Sequence, residues 1–123
     1  MSKMILKWRN FNTPYNKENI EQVPNQPGIY LIWVKLKNGN NWKCIYVGQT
    51  IDIRKRLFEH LSDNEDNECI KNNISSFICG FEYALVSNSK NRDNIEKYIY
   101  NQYLPECNQI SPPSLTPQEV NLP

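Results

Sequence analysis

The apolar positions of this chain repeat with two different periods. Ile29-Tyr30-Leu31-Ile32-Trp33-Val34 is an unbroken run, β-branched and aromatic, so it reads as a strand covered on both faces and therefore central. Trp42-Lys43-Cys44-Ile45-Tyr46-Val47 reads as its return partner, with Asn38-Gly39 as the hairpin-turn signal and Pro27-Gly28 opening the pair. Gly48-Gln49-Thr50 is expected to end the hairpin, with Gly28 and Gly48 as turn residues. The period then changes. Ile53, Leu57 and Leu61 recur every fourth residue behind Asp52, a capping residue, and predict an amphipathic helix. Arg56 and His60, also four apart, share a neighbouring face of it. An acidic, Asn-rich stretch (Asp63, Glu65, Asp66, Glu68) is expected to be a solvated loop, followed by a short helix around Cys69 to Ile74. Phe77 to Val86 is the third strand, with Gly80 as a bulge or kink. Asp93 to Tyr103 is the last helix, with Ile95, Ile99 and Tyr103 buried and Pro105 as its stop.

The order strand, strand, helix, short helix, strand, helix predicts an α+β fold, a small antiparallel or mixed three-stranded sheet with helices packed on it. Residues 1–26 hold Trp8, Phe11, Tyr15, Ile20 and Val23 between prolines, and are expected to be an irregular or partly helical N-terminal arm on the domain. Residues 27–110 form the domain itself. Residues 111–123, with four prolines and two serines, are expected to be an extended C-terminal tail. Trp33 and Trp42 are expected to pack together across the hairpin.

Length and composition narrow the function. At 123 residues and 39% hydrophobic the chain is one domain with one core, and its net charge of +1 excludes a histone-like or polybasic membrane protein. No apolar run reaches the ~20 residues of a membrane span, and the first nine residues lack a signal-peptide stretch, so the expected location is the cytoplasm. Cysteines at 44, 69, 79 and 107 form no C-x-x-C pair and are expected to be four reduced thiols. Charge is uneven: Lys35, Lys37, Lys43, Arg54, Lys55 and Arg56 stand against Asp52 and Glu59, a local net of +4 over residues 27–60. Such a patch suits an approaching phosphate chain.

Phosphodiester hydrolysis needs a group to deprotonate water, a divalent cation and a fixed cationic clamp. Tyr30, Tyr46, Arg56, His60 and Glu96 lie at the rims of the expected elements and could supply these roles. Gly28-Ile29-Tyr30 followed by Tyr46-Val47-Gly48 resembles the GIY-YIG nuclease signature, with Val47 in place of the middle Ile. The likeness continues with Arg56 ten residues after Tyr46, His60 four after Arg56, and Glu96 on a helix running into Pro105-Glu106-Cys107-Asn108. It spans residues 27–108. The resemblance implies a metal-dependent endonuclease that hydrolyses DNA by a one-metal mechanism. It makes Glu96 the sole carboxylate ligand of Mg²⁺ or Mn²⁺. It makes Arg56 the bidentate phosphate clamp and Tyr30 or Tyr46 the activator of water. His60 would orient a Tyr or relay a proton, and Asn108 would close the floor of the site. Gln49 stands where many relatives carry Lys, and with Lys35, Lys43, Arg54 and Lys55 it makes up the expected nucleic-acid contacts. DNA is the expected partner, with RNA left open and no membrane; a homodimer or a specificity-giving protein partner is left open. The alternative is a GIY-YIG module that binds nucleic acid or a partner with weak or no turnover.

Overall fold

The computed structural model describes residues 2–9, 11–37 and 39–123. β1 (Gly28–Lys35), β2 (Trp42–Thr50) and β3 (Cys79–Leu85) form one antiparallel sheet in the order β2-β1-β3. β1 is thus central, which is why its residues 28–32 are all buried. Its even positions Tyr30, Ile32 and Val34 face one core with Phe81, and its odd positions Ile29 and Leu31 face a second with Ala84. The first core is closed by α2 (Ile53–Leu61) and α3 (Glu68–Ser76) through Ile53, Leu57 and Ile70. The second is closed by α4 (Ser89–Tyr103) through Ile95 and Ile99, with Leu6 and Val120 from the two ends of the chain.

The arm is partly helical through α1 (Lys17–Ile20), capped by the Asn16 side chain. Several expectations are corrected. α4 begins four residues before Asp93, because Asn88 accepts from Asn91 N–H and supplies the cap. Gly28 and Gly48 are not turn residues. They lie inside the ladder, paired with Thr50 and Tyr30, and β2 continues through Thr50. Gly80 sits in a regular ladder opposite Trp33, and the irregularity falls instead between Ile32 and Trp33, where β2 carries the extra residue Ile45. Gly80 is small for another reason: a Cβ there would stand 2.4 Å from the Phe11 ring, which the arm lays against β3. Trp33 and Trp42 do not meet; Trp33 packs edge-on against Tyr103, and Trp42 against Phe11. Asn38 of the expected Asn38-Gly39 turn lies outside the described residues, while Gly39 takes a φ of 105°.

The four reduced thiols are also corrected. Cys69 and Cys107 form a disulfide with a Cα–Cα distance of 5.2 Å, and Cys44 and Cys79 are buried thiols. A separation of 38 residues hid this pair, since only the packing of α3 against the segment after α4 brings it together. The arm and tail are ordered against each other: Asn121 pairs with Leu6 N–H and carbonyl, and Met4 bridges to Val120. Among the described residues no helix is long and apolar enough to cross a membrane.

The bulge at Ile45 puts Ile45 and Tyr46 in succession on the face that holds Tyr30. Gly48 lets the Tyr30 ring lie across β2, for a Cβ at Gly48 would fall 2.5 Å from the ring and its hydroxyl. A Gly48→Ala variant is therefore expected to lose about 1–3 kcal/mol of stability, seen as a lower denaturant midpoint. An unchanged midpoint would mean that Tyr30 turns aside without cost.

Candidate active site

β2 is an edge strand, and the candidate site straddles that edge. Tyr46 comes from β2 itself. Arg56 and His60 come from successive turns of one face of α2, and Glu96 from the α4 helix on the opposite side of the sheet. Asn108 covers the strand's free edge: its side-chain oxygen accepts the Val47 N–H at 3.0 Å, and its amide donates to the Val47 carbonyl at 2.9 Å. The Cys107 N–H donates to the Ile45 carbonyl beside it. Both backbone groups of Val47 on this edge are thus satisfied, which fixes the residue next to Tyr46.

Three rings pack as a triangle, with centroid separations of 6.0 Å for Tyr30–Tyr46, 5.7 Å for Tyr30–His60 and 5.5 Å for Tyr46–His60. The two phenols differ in access. Tyr30 is buried and its hydroxyl lies 2.8 Å from His60 Nε2. Tyr46 lines two clefts, one of about 470 Å³ with Arg56, Glu59 and Asn64, and one of about 270 Å³ with Glu96, Asn108 and Pro112. A phosphate chain crossing Tyr46 would meet Arg56 on one side and Glu96 on the other.

The electrostatics follow from burial. Burial raises Tyr30 well above an ordinary phenol, with Tyr46 adding to the rise and Arg56 opposing it. Tyr46 is raised by burial too, against which Arg56 and a hydrogen bond from Tyr30 both favour its phenolate. Burial pushes His60 down, with Arg56 adding to the effect and Glu65 opposing it, so the imidazole is neutral near pH 7. Glu96 is pushed up to about 7 by burial and by Asp93, with only the Gln49 backbone N–H favouring the charged form. Among the described residues no Lys, Arg or His forms an ion pair with it.

That last observation tests whether the site suits a cation. Glu96 is a partly desolvated carboxylate, open to a cleft and lacking a counter-charge, and a divalent ion would correct all of this at once. Among the described residues no three His, Cys, Asp or Glu converge on a point. A single carboxylate with water filling the other positions suits Mg²⁺, which dehydrates reluctantly. The donor set fits.

The expected nucleic-acid contacts separate into groups. Arg54 and Lys55 border a cleft at the start of α2 that shares Glu59 and Ser62 with the Arg56 cleft, so they extend the same groove. Lys35 and Lys43 stand at the far end of the hairpin, about 17 Å along β1 from Tyr30 for Lys35, and Lys43 pairs with Glu106 at 3.6 Å. Gln49 is engaged within the chain: its amide donates to Asp93 at 2.9 Å and its oxygen accepts from Arg92 at 3.1 Å. It anchors β2 to α4 next to Glu96.

The acidic stretch is a loop in which Asp63 and Asp66 are exposed, as expected, but Glu65 and Asn67 depart from that expectation: both are only 8% exposed. Glu65 Oε2 lies 2.5 Å from His60 Nδ1, and Oε1 accepts the Asn67 N–H at 2.9 Å. Sequence reasoning missed Glu65 because charge runs follow no period. The only hint was its place five residues after the chain's one histidine.

The profile of the GIY-YIG catalytic domain matches residues 26–110. The UvrABC system protein C of Solibacter usitatus is 27% identical over 92 residues, covering 75% of this chain and 14% of that protein. The protein of the same name from Hydrogenobaculum is 39% identical over 49 residues, 40% of this chain and 8% of that one. The chain thus spans about one-seventh of the first of these relatives. Among solved structures, the magnesium-bound N-terminal GIY-YIG endonuclease domain of UvrC from Thermotoga maritima superposes with a TM-score of 0.54 at 23% identity, over 76% of this chain and 99% of that one. A point mutant of that domain, also bound to its catalytic divalent cation, gives a TM-score of 0.55 at 25% identity over the same shares.

Proposed function

The chain belongs to the GIY-YIG catalytic-domain family, and from that membership we propose that it is a metal-dependent endonuclease that hydrolyses DNA phosphodiester bonds. The observation that supports the reading is the uncompensated carboxylate of Glu96 in one of the two clefts that Tyr46 lines, with Arg56 in the other. Glu96 would hold Mg²⁺ or Mn²⁺. When bound, the ion supplies Lewis-acid polarisation of the phosphate and neutralises charge on the leaving oxygen.

The chain's own residues do the rest. Arg56 binds the non-bridging oxygens of the scissile phosphate from the larger cleft. Tyr46, the phenol that reaches the cleft, takes a proton from water as its phenolate. The Tyr30 ring packs behind it, and the Tyr30 hydroxyl meets His60 Nε2. Asn108 holds β2 in place. Arg54 and Lys55 continue the positive side of the groove, whereas Lys35 and Lys43 lie toward the turn end of the hairpin and Gln49 is engaged with Asp93 and Arg92. The proposed location is the cytoplasm, where a nuclease meets chromosomal DNA. The +4 patch alone gives weak, salt-sensitive binding, so specificity would come from a second copy or a protein partner.

Supercoiled plasmid incubated with the purified chain and MgCl₂ should be converted to nicked circles, and EDTA should stop the conversion. If the chain binds duplex DNA in metal-free buffer yet cuts no duplex, branched or RNA substrate with Mg²⁺ or Mn²⁺, the binding-module alternative takes its place.

A further inference from the structure

Behind the two phenols lies a buried acid that the nuclease reading has not used. The Glu65 side chain is 4% exposed and fixed at both oxygens. Oε1 is held by the Asn67 N–H. Asn67 is held in turn, its oxygen capping α3 at Ile70 N–H and its amide donating to the Cys107 carbonyl. Oε2 faces His60 Nδ1 at 2.5 Å, with Arg56 at 3.9 Å. Across the ring, His60 Nε2 faces the Tyr30 hydroxyl at 2.8 Å.

A neutral imidazole carries one N–H, and a carboxylate can accept but not donate. With Glu65 on Nδ1, the ring proton must sit there, and the Nε2 lone pair is left facing Tyr30. The opposite tautomer would set a bare nitrogen lone pair against a buried carboxylate. From this geometry we infer that Glu65 is a positioning residue that fixes the His60 tautomer, so that His60 Nε2 can receive the Tyr30 proton. The inference rests on the endonuclease reading for its consequence, not for the tautomer itself.

The transfer balances within the chain. The Tyr46 O–H bond breaks and its proton passes to the Tyr30 oxygen, while the Tyr30 O–H proton passes to the Nε2 lone pair. Tyr46 becomes the phenolate that takes the proton of water, and His60 becomes an imidazolium. Glu65 then faces that cation as a counter-charge, and the Tyr30 hydroxyl donates to the Tyr46 phenolate. The arrangement follows the acid–imidazole–hydroxyl logic of hydrolytic triads, with a second phenol added at the cleft end.

The chain has one histidine, so ¹⁵N-histidine labelling gives a single imidazole to read by NMR. In the wild type near pH 7, Nδ1 should be protonated and Nε2 bare. In Glu65→Gln the side-chain amide can donate to Nδ1, and the Nε2–H tautomer should become populated. The same variant should lower kcat for plasmid nicking about 10–100-fold, with KM and Mn²⁺ affinity unchanged. A purely structural role for Glu65 would lower stability without moving the tautomer. A wild-type ring protonated at Nε2 overturns the inference, whether or not Glu65→Gln folds. A folded Glu65→Gln that nicks at the wild-type rate also overturns it. If the wild-type tautomer is as stated but no substrate is cut under any condition, the endonuclease reading fails and the tautomer assignment stands.

Discussion

Glu96→Gln is expected to abolish cation-dependent nicking, a loss of about 10³-fold or more, and to abolish Mn²⁺ binding measured by calorimetry. Metal ions in such sites supply several kcal/mol of transition-state stabilisation, and each 1.36 kcal/mol is tenfold in rate. With one carboxylate as the protein's whole contribution, removing its charge removes the site. The pH dependence follows from the same group. Its carboxyl is pushed up to about 7 by burial and Asp93, so below pH 7 a proton competes with the cation. Mn²⁺ affinity should fall about tenfold for each pH unit below 7 and level off above it. Without metal, the folded chain holds this proton more tightly than the unfolded chain does. Stability therefore falls as pH rises from the ordinary carboxylate range through about 7, by at most about 4 kcal/mol. Glu96→Gln removes that cost, so the metal-free variant should be more stable than the wild type at pH 8 and indistinguishable from it at pH 4. Loss of activity with gain of stability is what a site strained toward a ligand shows. A variant that keeps nicking, or a wild type whose Mn²⁺ affinity is flat from pH 5 to 8, would remove Glu96 from the metal role.

The parts of this site that could be read from the sequence are those carried by period or by short motif. The β1 run was central because it lacked polar alternation, and Tyr30 and Tyr46 were placed by the strands that hold them. Arg56 and His60 were placed by the four-residue spacing of α2. What could not be read depends on tertiary closeness. Glu65 sits in a stretch without period, and its burial depends on Asn67 reaching Cys107, forty residues further on. The Cys69–Cys107 bond joins the same two segments and was hidden for the same reason. The β2 bulge was also invisible, since an extra residue in a buried strand leaves the hydrophobic run unbroken. Lys35 and Lys43 share the positive charge of this stretch of sequence, but the hairpin carries them toward its turn end, away from Tyr30. Gln49 is held between Asp93 and Arg92 of α4, contacts that no spacing in the sequence signals.

Arg56→Lys is expected to lower nicking about 10²–10³-fold while leaving Mn²⁺ affinity unchanged. Arg56 has two functions that this substitution separates. One is its planar fork. Nη1 is turned to Glu59 at 3.5 Å and Glu65 at 3.9 Å, which steadies one side of the guanidinium at the cleft beside Tyr46. Lys keeps a charge there but cannot offer two parallel donors to a phosphate. The other function is electrostatic: the cation favours the phenolate of Tyr46 and holds down the His60 imidazolium. Lys should preserve much of that effect, so the pH–rate profile of Arg56→Lys should keep the wild-type shape at a lower height. Arg56→Ala should lose rate further, and its rise with pH should move to the alkaline side as Tyr46 becomes harder to ionise. The titration of the single histidine should move upward in the same variant, because a neighbouring positive charge is gone while Glu65 remains. If Arg56→Lys matches the wild type in rate, charge alone suffices and the bidentate clamp is dispensable. If Arg56→Ala leaves the pH profile where it was, the guanidinium does not act on the phenols, and the proton path from Tyr46 through Tyr30 to His60 must be tuned by burial alone.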